Sequence, residues 1–349
     1  MSSIIFLNKI NQYSIINILF SFLIISFIAG NLVLNLNILF LIIFSIIFYK
    51  SRIINFKFEL VDKVILLLFF YITINSFFNN LNLYLNGTTK DFTIFIKSLL
   101  YLRFLILYFV INFLVSQRII NLKYFFFTAF GAVVFVSFDI IYQYFFGYDI
   151  FGFKGEERRL SGPFGDELVA GAFIQRFSLF ALFLIPIFIK FKKSYPKYLF
   201  SFLLLCLIII SLIFAGNRIP LLFFILSVIA ILIFEKQLRK FVAPFFILVC
   251  IFIYASTQIN ENIYKHLIGF QKRSIEIFSI LSPDNILTKE EEENEYKNSM
   301  FYTFEYKGTK YKMTNTYLKE FKTGYVTWKD NFFFGGGVKS FKVVCPKAK

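Results

Sequence analysis

Tyr198-Leu199-Phe200-Ser201-Phe202-Leu203-Leu204-Leu205-Cys206-Leu207-Ile208-Ile209-Ile210-Ser211-Leu212-Ile213-Phe214 is an uncharged run, and Ala215-Gly216-Asn217-Arg218-Ile219-Pro220 turns it straight into another, over 219–234. A run of this length without charge reads as a membrane helix. Two such runs joined with almost no slack read as a transmembrane hairpin. Pro220 suits the first turn of the second helix and Asn217 its cap.

Working outward, further candidate spans lie at about 15–34, 36–49, 63–78, 93–115, 124–145, 168–189 and 242–258, which makes about nine in all. The composition agrees: 58% of residues are hydrophobic, 54 of 349 are Phe, and the mean hydropathy is +0.70. Such a chain is not a soluble domain. The formal charge of +16 comes with an excess of Phe, Ile, Lys and Asn, which also fits an A/T-rich genome; no nucleic-acid partner is expected. The first apolar segment lacks a small-residue cleavage pattern and reads as a span rather than a signal peptide. Cys206 and Cys250 fall in spans and Cys345 in the polar tail, so no disulfide framework follows.

Basic residues cluster in alternate connections: Lys9; Lys50, Arg52, Lys57 and Lys63; Arg118 and Lys123; Lys190, Lys192, Lys193 and Lys197; Lys236, Arg239 and Lys240. The positive-inside rule puts these on the cytoplasmic side with the N-terminus. The opposite set, 79–92, 146–167, the turn Ala215–Arg218 and the tail from about 259, is then extracytoplasmic. The expected fold class is an all-α polytopic membrane protein of about nine transmembrane helices with a C-terminal extracytoplasmic αβ loop region. Three segments follow: N-terminal helices over 1–145, helices with outer-face arginine loops over 146–258, and the outer tail over 259–349. Within the tail, Tyr302, Phe304 and Tyr306 alternate before Lys307-Gly308-Thr309, which predicts a hairpin, and a helix is expected over 315–331.

Arg158, Arg159 and Arg218 stand against the charge bias, on the outer side. At the start of the eighth span, free backbone N–H groups and the positive end of the helix dipole meet the Arg218 guanidinium, a combination suited to phosphate oxygens. The same arginine would also suit a lipid headgroup at the interface. Arg158-Arg159-Leu160-Ser161-Gly162-Pro163-Phe164-Gly165-Asp166-Glu167 is a second outer turn that offers anion contacts or simply a charged, soluble loop; Asp166 is placed to cap the sixth span. Arg103, Asp139 and Arg176 lie deep in spans, where an ionisable group is costly unless paired or facing a polar cavity. One of the two arginines is expected to pair with Asp139. His266, the one histidine, has no recognisable partner, and no Cys, His, Asp or Glu spacing reads as a metal site. No P-loop or dinucleotide fingerprint is present.

Arg159-Leu160-Ser161-Gly162-Pro163-Phe164 before a span, Gly216-Asn217-Arg218 between two spans, and Thr323-Gly324-Tyr325 with Trp328 and Gly335-Gly336-Gly337 in a large outer loop resemble, in order and topology, the O-antigen ligase and O-antigen polymerase family of bacterial membrane glycosyltransferases. The resemblance covers about 150–345. It implies a metal-independent, cofactor-free inverting transferase of the bacterial inner (cytoplasmic) membrane, with its C-terminal segment periplasmic. The donor would be an undecaprenyl diphosphate-linked glycan, and the acceptor a lipid A core (ligase) or another glycan (polymerase), for lipopolysaccharide or surface polysaccharide.

By the same resemblance Arg218, beside Asn217, would hold the leaving diphosphate, an effect worth about 2.7–4 kcal/mol for a single electrostatic donor. Arg158 or Arg159 would be a secondary contact, and Trp328 belongs to the outer-loop motif. Many relatives carry arginine where this chain has Tyr325; Lys322 replaces it only as a point charge. The family's loop continues into a His-Asn motif, whose histidine is the proposed base, and closing spans. This chain reaches Lys349 before either, so the catalytic residue is unassigned and a fragment or an inactive truncated homologue is expected. A non-enzymatic transporter of a lipid-linked glycan is the alternative; it predicts internal repeats, which the sequence lacks.

Overall fold

The computed structural model describes residues 2–54, 58–87, 91–155, 159–189 and 194–234, scattered positions between 247 and 268, the strands 302–306 and 309–313, and positions 324–325, 328–329, 332 and 335–337. Eight helices are named in these residues: α1 (Ser2–Ile28), α2 (Asn31–Ile54), α3 (Leu60–Leu85), α4 (Thr93–Ser116), α5 (Leu122–Phe146), α6 (Ala170–Phe188), α7 (Ser194–Phe214) and α8 (Arg218–Phe234). Five of them carry stretches long and apolar enough to cross a membrane: 11–28, 31–50, 60–85, 93–116 and 122–146. The apolar stretches of α6, α7 and α8 are shorter, Ala170–Ile185, Leu199–Phe214 and Ile219–Phe234. The chain is thus a helical, multi-pass membrane protein. Of the ninth expected span, 242–258, only scattered helical positions are described.

Boundaries differ from the hydropathy reading at the first pair. The span expected over 15–34 ends at Ile28, because Gly30 adopts φ +102° and α2 restarts at Asn31. A left-handed residue stops an α-helix whatever the hydropathy on either side, and glycine reaches it without strain.

The chain divides into two compact units, Met1–Asn55 with Val110–Leu267 and Phe56–Phe109 with Ile268–Lys349. In the first unit α5 is central and packs against α1, α6 and α7. Its buried residues Ala129, Ala132, Val133, Val136, Ser137, Asp139, Ile140 and Gln143 recur at helical spacing. The small ones let neighbouring backbones approach, as in membrane bundles generally. Ser211 Oγ of α7 lies 3.1 Å from Ser137 Oγ. Asn17 of α1 ties down the α4–α5 connection: its amide nitrogen donates to the Ile119 carbonyl at 3.0 Å and its oxygen accepts the Asn121 N–H at 2.6 Å. Asn121 in turn caps α5 by accepting the Lys123 N–H.

In the second unit Asn80, fully buried, closes the α3–α4 connection. Its oxygen accepts the N–H groups of Ile94 and Phe95, satisfying donors at the start of α4, while its nitrogen donates to Asp91. Tyr302–Tyr306 (β1) and Thr309–Met313 (β2) pair antiparallel, Tyr302 opposite Met313 and Tyr306 opposite Thr309. The helix expected over 315–331 falls largely outside the described residues; Gly324, Tyr325, Trp328 and Lys329 are helical.

The glycine run of the tail lies against α3. Asn75 and Asn79, one turn apart, both donate to the Gly335 carbonyl, at 3.2 and 2.9 Å. Gly337 adopts φ +87°, and a Cβ there would sit 3.0 Å from both Ser76 Cα and Ser76 Oγ and 3.2 Å from Ile94 Cγ2. Backbone on one side and a left-handed φ on the other leave alanine no room. Gly337→Ala is expected to weaken docking of the glycine run on α3 by about 1–3 kcal/mol, read as faster limited proteolysis of the tail; an unchanged cleavage rate would count against that docking.

Candidate functional site

The two segments singled out by their arginines come together at the C-terminal end of α5. The Leu160 N–H, next to Arg159, donates to the Ala215 carbonyl at 3.3 Å. Asn217 Nδ2 donates to the Leu168 carbonyl at 3.3 Å. Gly171 on α6 abuts Asn217 so closely that a Cβ there would lie 2.8 Å from Asn217 Cβ. Connections separated by some fifty residues of chain thus form one surface.

Gln143, 1% exposed, organises the underside of that surface. Its oxygen accepts the Gly162 N–H at 2.9 Å, and its nitrogen lies 3.2 Å from the Phe153 carbonyl and 3.4 Å from Ser161 Oγ. Gly162 begins a one-turn 3-10 helix, Gly162–Phe164, with φ +54° and Ile140 Cγ1 only 3.1 Å from where a Cβ would be. Glycine is required there on both counts. The preceding loop is a compact hairpin: Asp149 Oδ1 accepts the Phe153 N–H at 2.6 Å, the Asp149 N–H donates to the Phe153 carbonyl, and the Gly155 N–H donates to Gly147.

Arg159 is exposed and Arg218 is the first residue of α8, whose first turn is closed by the Leu221 N–H on the Asn217 carbonyl. Two exposed acids, Asp166 and Glu167, flank the arginine loop. Asp166 does not cap α6: that helix starts at Ala170 with Val169 in the cap position and no side-chain cap bond. The turn Gly162–Gly165 and the residues after it consume the length that a direct cap would need. Arg158, Lys322, His266 and the side chain of Arg218 lie outside the described residues.

Asp139 does not pair with Arg103 or Arg176. Its Oδ1 accepts the Ile150 N–H at 2.8 Å and its Oδ2 is buried with no hydrogen-bond partner among the described residues. Arg103 and Arg176 are exposed, and the Arg103 guanidinium lies over the Phe104 ring, 4.8 Å from its centroid. A cation over an aromatic face, with a long stem free to snorkel, is an alternative to an ion pair in an apolar setting. In the second unit Trp328 is exposed and forms a ring cluster with Tyr325 at 5.6 Å and Phe332 at 4.6 Å.

Sequence reading missed Gln143, Asp149 and Gly171. Gln143 stands one turn after Asp139 on the buried face of α5, and two polar residues at that spacing inside a span were the available signal. Among the described residues no three His, Cys, Asp or Glu side chains converge as a metal site. Comparison with family models, with curated proteins and with solved structures found no match for this chain.

Proposed function

We propose that this chain is an O-antigen ligase-like glycosyltransferase of the bacterial inner membrane, of about nine spans, with its arginine loops and tail on the periplasmic side. Its donor is an undecaprenyl diphosphate-linked glycan. The observation that carries the reading is the hydrogen-bonded union of the Arg159 segment with the Ala215–Arg218 turn. Two guanidinium-bearing segments, one at a helix start, are what a diphosphate needs: charge-assisted donors from more than one direction plus free N–H groups.

In the intact reaction an acceptor hydroxyl attacks the anomeric carbon and the glycan leaves its diphosphate, with inversion. Arg218 would stabilise the charge that develops on the leaving oxygen, and Arg159 would orient the second phosphate. Trp328, with Tyr325 and Phe332, offers an aromatic platform of the kind that packs against sugar rings. The acceptor is a lipid A core or a further glycan unit, which distinguishes ligase from polymerase.

The test is direct binding of undecaprenyl diphosphate to the purified chain in lipid nanodiscs. Arg218→Ala is expected to weaken binding by about 1.5–3 kcal/mol, roughly tenfold to a hundredfold, and Arg159→Ala by less. Wild-type affinity in Arg218→Ala would remove the diphosphate role.

A further inference from the structure

The hairpin that follows α5 is apolar where turns are ordinarily polar. Its tip is the turn Asp149–Gly152, closed by the Gly152 N–H on the Asp149 carbonyl, with Ile150 and Phe151 at the two central positions, 55% and 62% exposed. Tyr148 and Phe153 on either side are exposed as well. Turns that face water favour Gly, Pro, Asn, Asp or Ser, and a contiguous exposed apolar patch marks a surface that meets a membrane or a protein.

Depth points to lipid. The Ile150 N–H donates to Asp139 Oδ1 at 2.8 Å, and Asp139 stands seven residues, about 10 Å along the helix axis, before the end of α5 at Phe146. The hairpin therefore folds back beside the last two turns of a helix that is long and apolar enough to cross a bilayer. The Tyr148 ring continues an aromatic surface of that helix. It lies 5.9 Å from Tyr142 and 6.5 Å from Phe146, whose own rings stack at 4.4 Å. Tyrosine is enriched where hydrocarbon meets headgroups.

The hairpin backbone suits that setting, because in lipid no water satisfies a stray N–H. The Asp149 N–H donates to the Phe153 carbonyl, Gly152 to the Asp149 carbonyl and Gly155 to the Gly147 carbonyl. Ile150 and Phe153 donate to the carboxylates of the buried Asp139 and Asp149. Lys154 bridges to Tyr148 at the base of the hairpin and is exposed; its long stem can carry the ammonium to the phosphates.

We propose that the Gly147–Gly155 hairpin dips into the lipid leaflet at the C-terminal end of α5, with Ile150 and Phe151 among the upper acyl carbons and Lys154 at the phosphates. The occupant is the surrounding phospholipid. The hairpin would hold the adjoining Arg159 loop at headgroup level, and the inference does not depend on whether a diphosphate binds.

Trp328 is the single tryptophan of the chain, so Phe151→Trp in a Trp328→Phe background places one fluorophore at the tip. In liposomes of the full chain its emission is expected to be blue-shifted, to be lost to phospholipids brominated high on the acyl chain, and to resist aqueous iodide. Ile150→Trp in the same background should behave alike, and serves if the first variant fails to fold. Emission quenched by iodide and untouched by brominated lipid overturns the proposal. So does a blue shift without lipid quenching, as burial against a second protein chain or one captured polyprenyl chain would give.

Discussion

Gln143→Leu should lower the stability of the first unit by about 3 kcal/mol, the combined effect of two buried polar groups losing their partner at about 1–3 kcal/mol each. Leucine is no smaller than glutamine, so no cavity forms and the loss is chiefly of hydrogen bonds. Gly162 N–H has Gln143 Oε1 as its acceptor at 2.9 Å, and the Ser161 hydroxyl, 2% exposed, loses a neighbour at 3.4 Å. The Phe153 carbonyl keeps its bond from Asp149 N–H, so it adds little. Gln143→Glu retains the acceptor for Gly162 and should fall between leucine and wild type. Thermal melting in detergent, with proteolysis of the loop as a second readout, measures the series. A leucine variant that melts with wild type would mean that the loop is held by other contacts.

Gly171→Val is the second large effect. Alanine at a helical glycine would ordinarily gain about 1 kcal/mol in propensity. Here the new Cβ would sit 2.8 Å from Asn217 Cβ and 2.9 Å from Asn217 Nδ2. The obstacle is an atom fixed to backbone, so Asn217 must move as a residue, and its bond to the Leu168 carbonyl goes with it. Overpacking of this kind costs about 1–3 kcal/mol for a methyl and more for valine. Gly171→Ala should therefore be mildly destabilising despite its propensity gain, and Gly171→Val severely so, with lipid-diphosphate binding falling alongside stability because Asn217 leads into Arg218. A Gly171→Ala protein more stable than wild type would show that α6 and the turn have room to separate.

The helical membrane character was legible because it needs only length and apolarity, and the runs over 93–116 and 122–146 supply both. The break at Gly30 was not, since hydropathy averages over a window and a single φ of +102° leaves no mark on it. The segments around Arg159 and Arg218 stood out in the sequence through charge that opposes the expected topology bias. Their union was not: it runs through backbone groups of Leu160, Ala215 and Leu168, and any residue type could supply those.

Asp139 shows the limit in another form. A cost argument for a charge in a span identifies that something must compensate it, and an arginine is the obvious compensator in a list of side chains. The structure instead supplies a main-chain N–H from a loop eleven residues on, and the second oxygen has no hydrogen-bond partner among the described residues. Likewise the Gly335–Gly337 run stands out as a motif, while its seat on Asn75 and Asn79, some 260 residues earlier, has no periodic signature.

The central claim is that the Arg159 and Arg218 segments form one diphosphate site, and the most direct measurement compares undecaprenyl diphosphate with undecaprenyl monophosphate for binding to the purified chain in nanodiscs of neutral lipid. The account predicts that the diphosphate binds at least about tenfold more tightly, a difference of about 1.4 kcal/mol, and that Arg159→Ala/Arg218→Ala abolishes the preference. Equal affinity for the two lipids, or a preference that survives in the double variant, would contradict it and leave both arginines as contacts for ordinary headgroups.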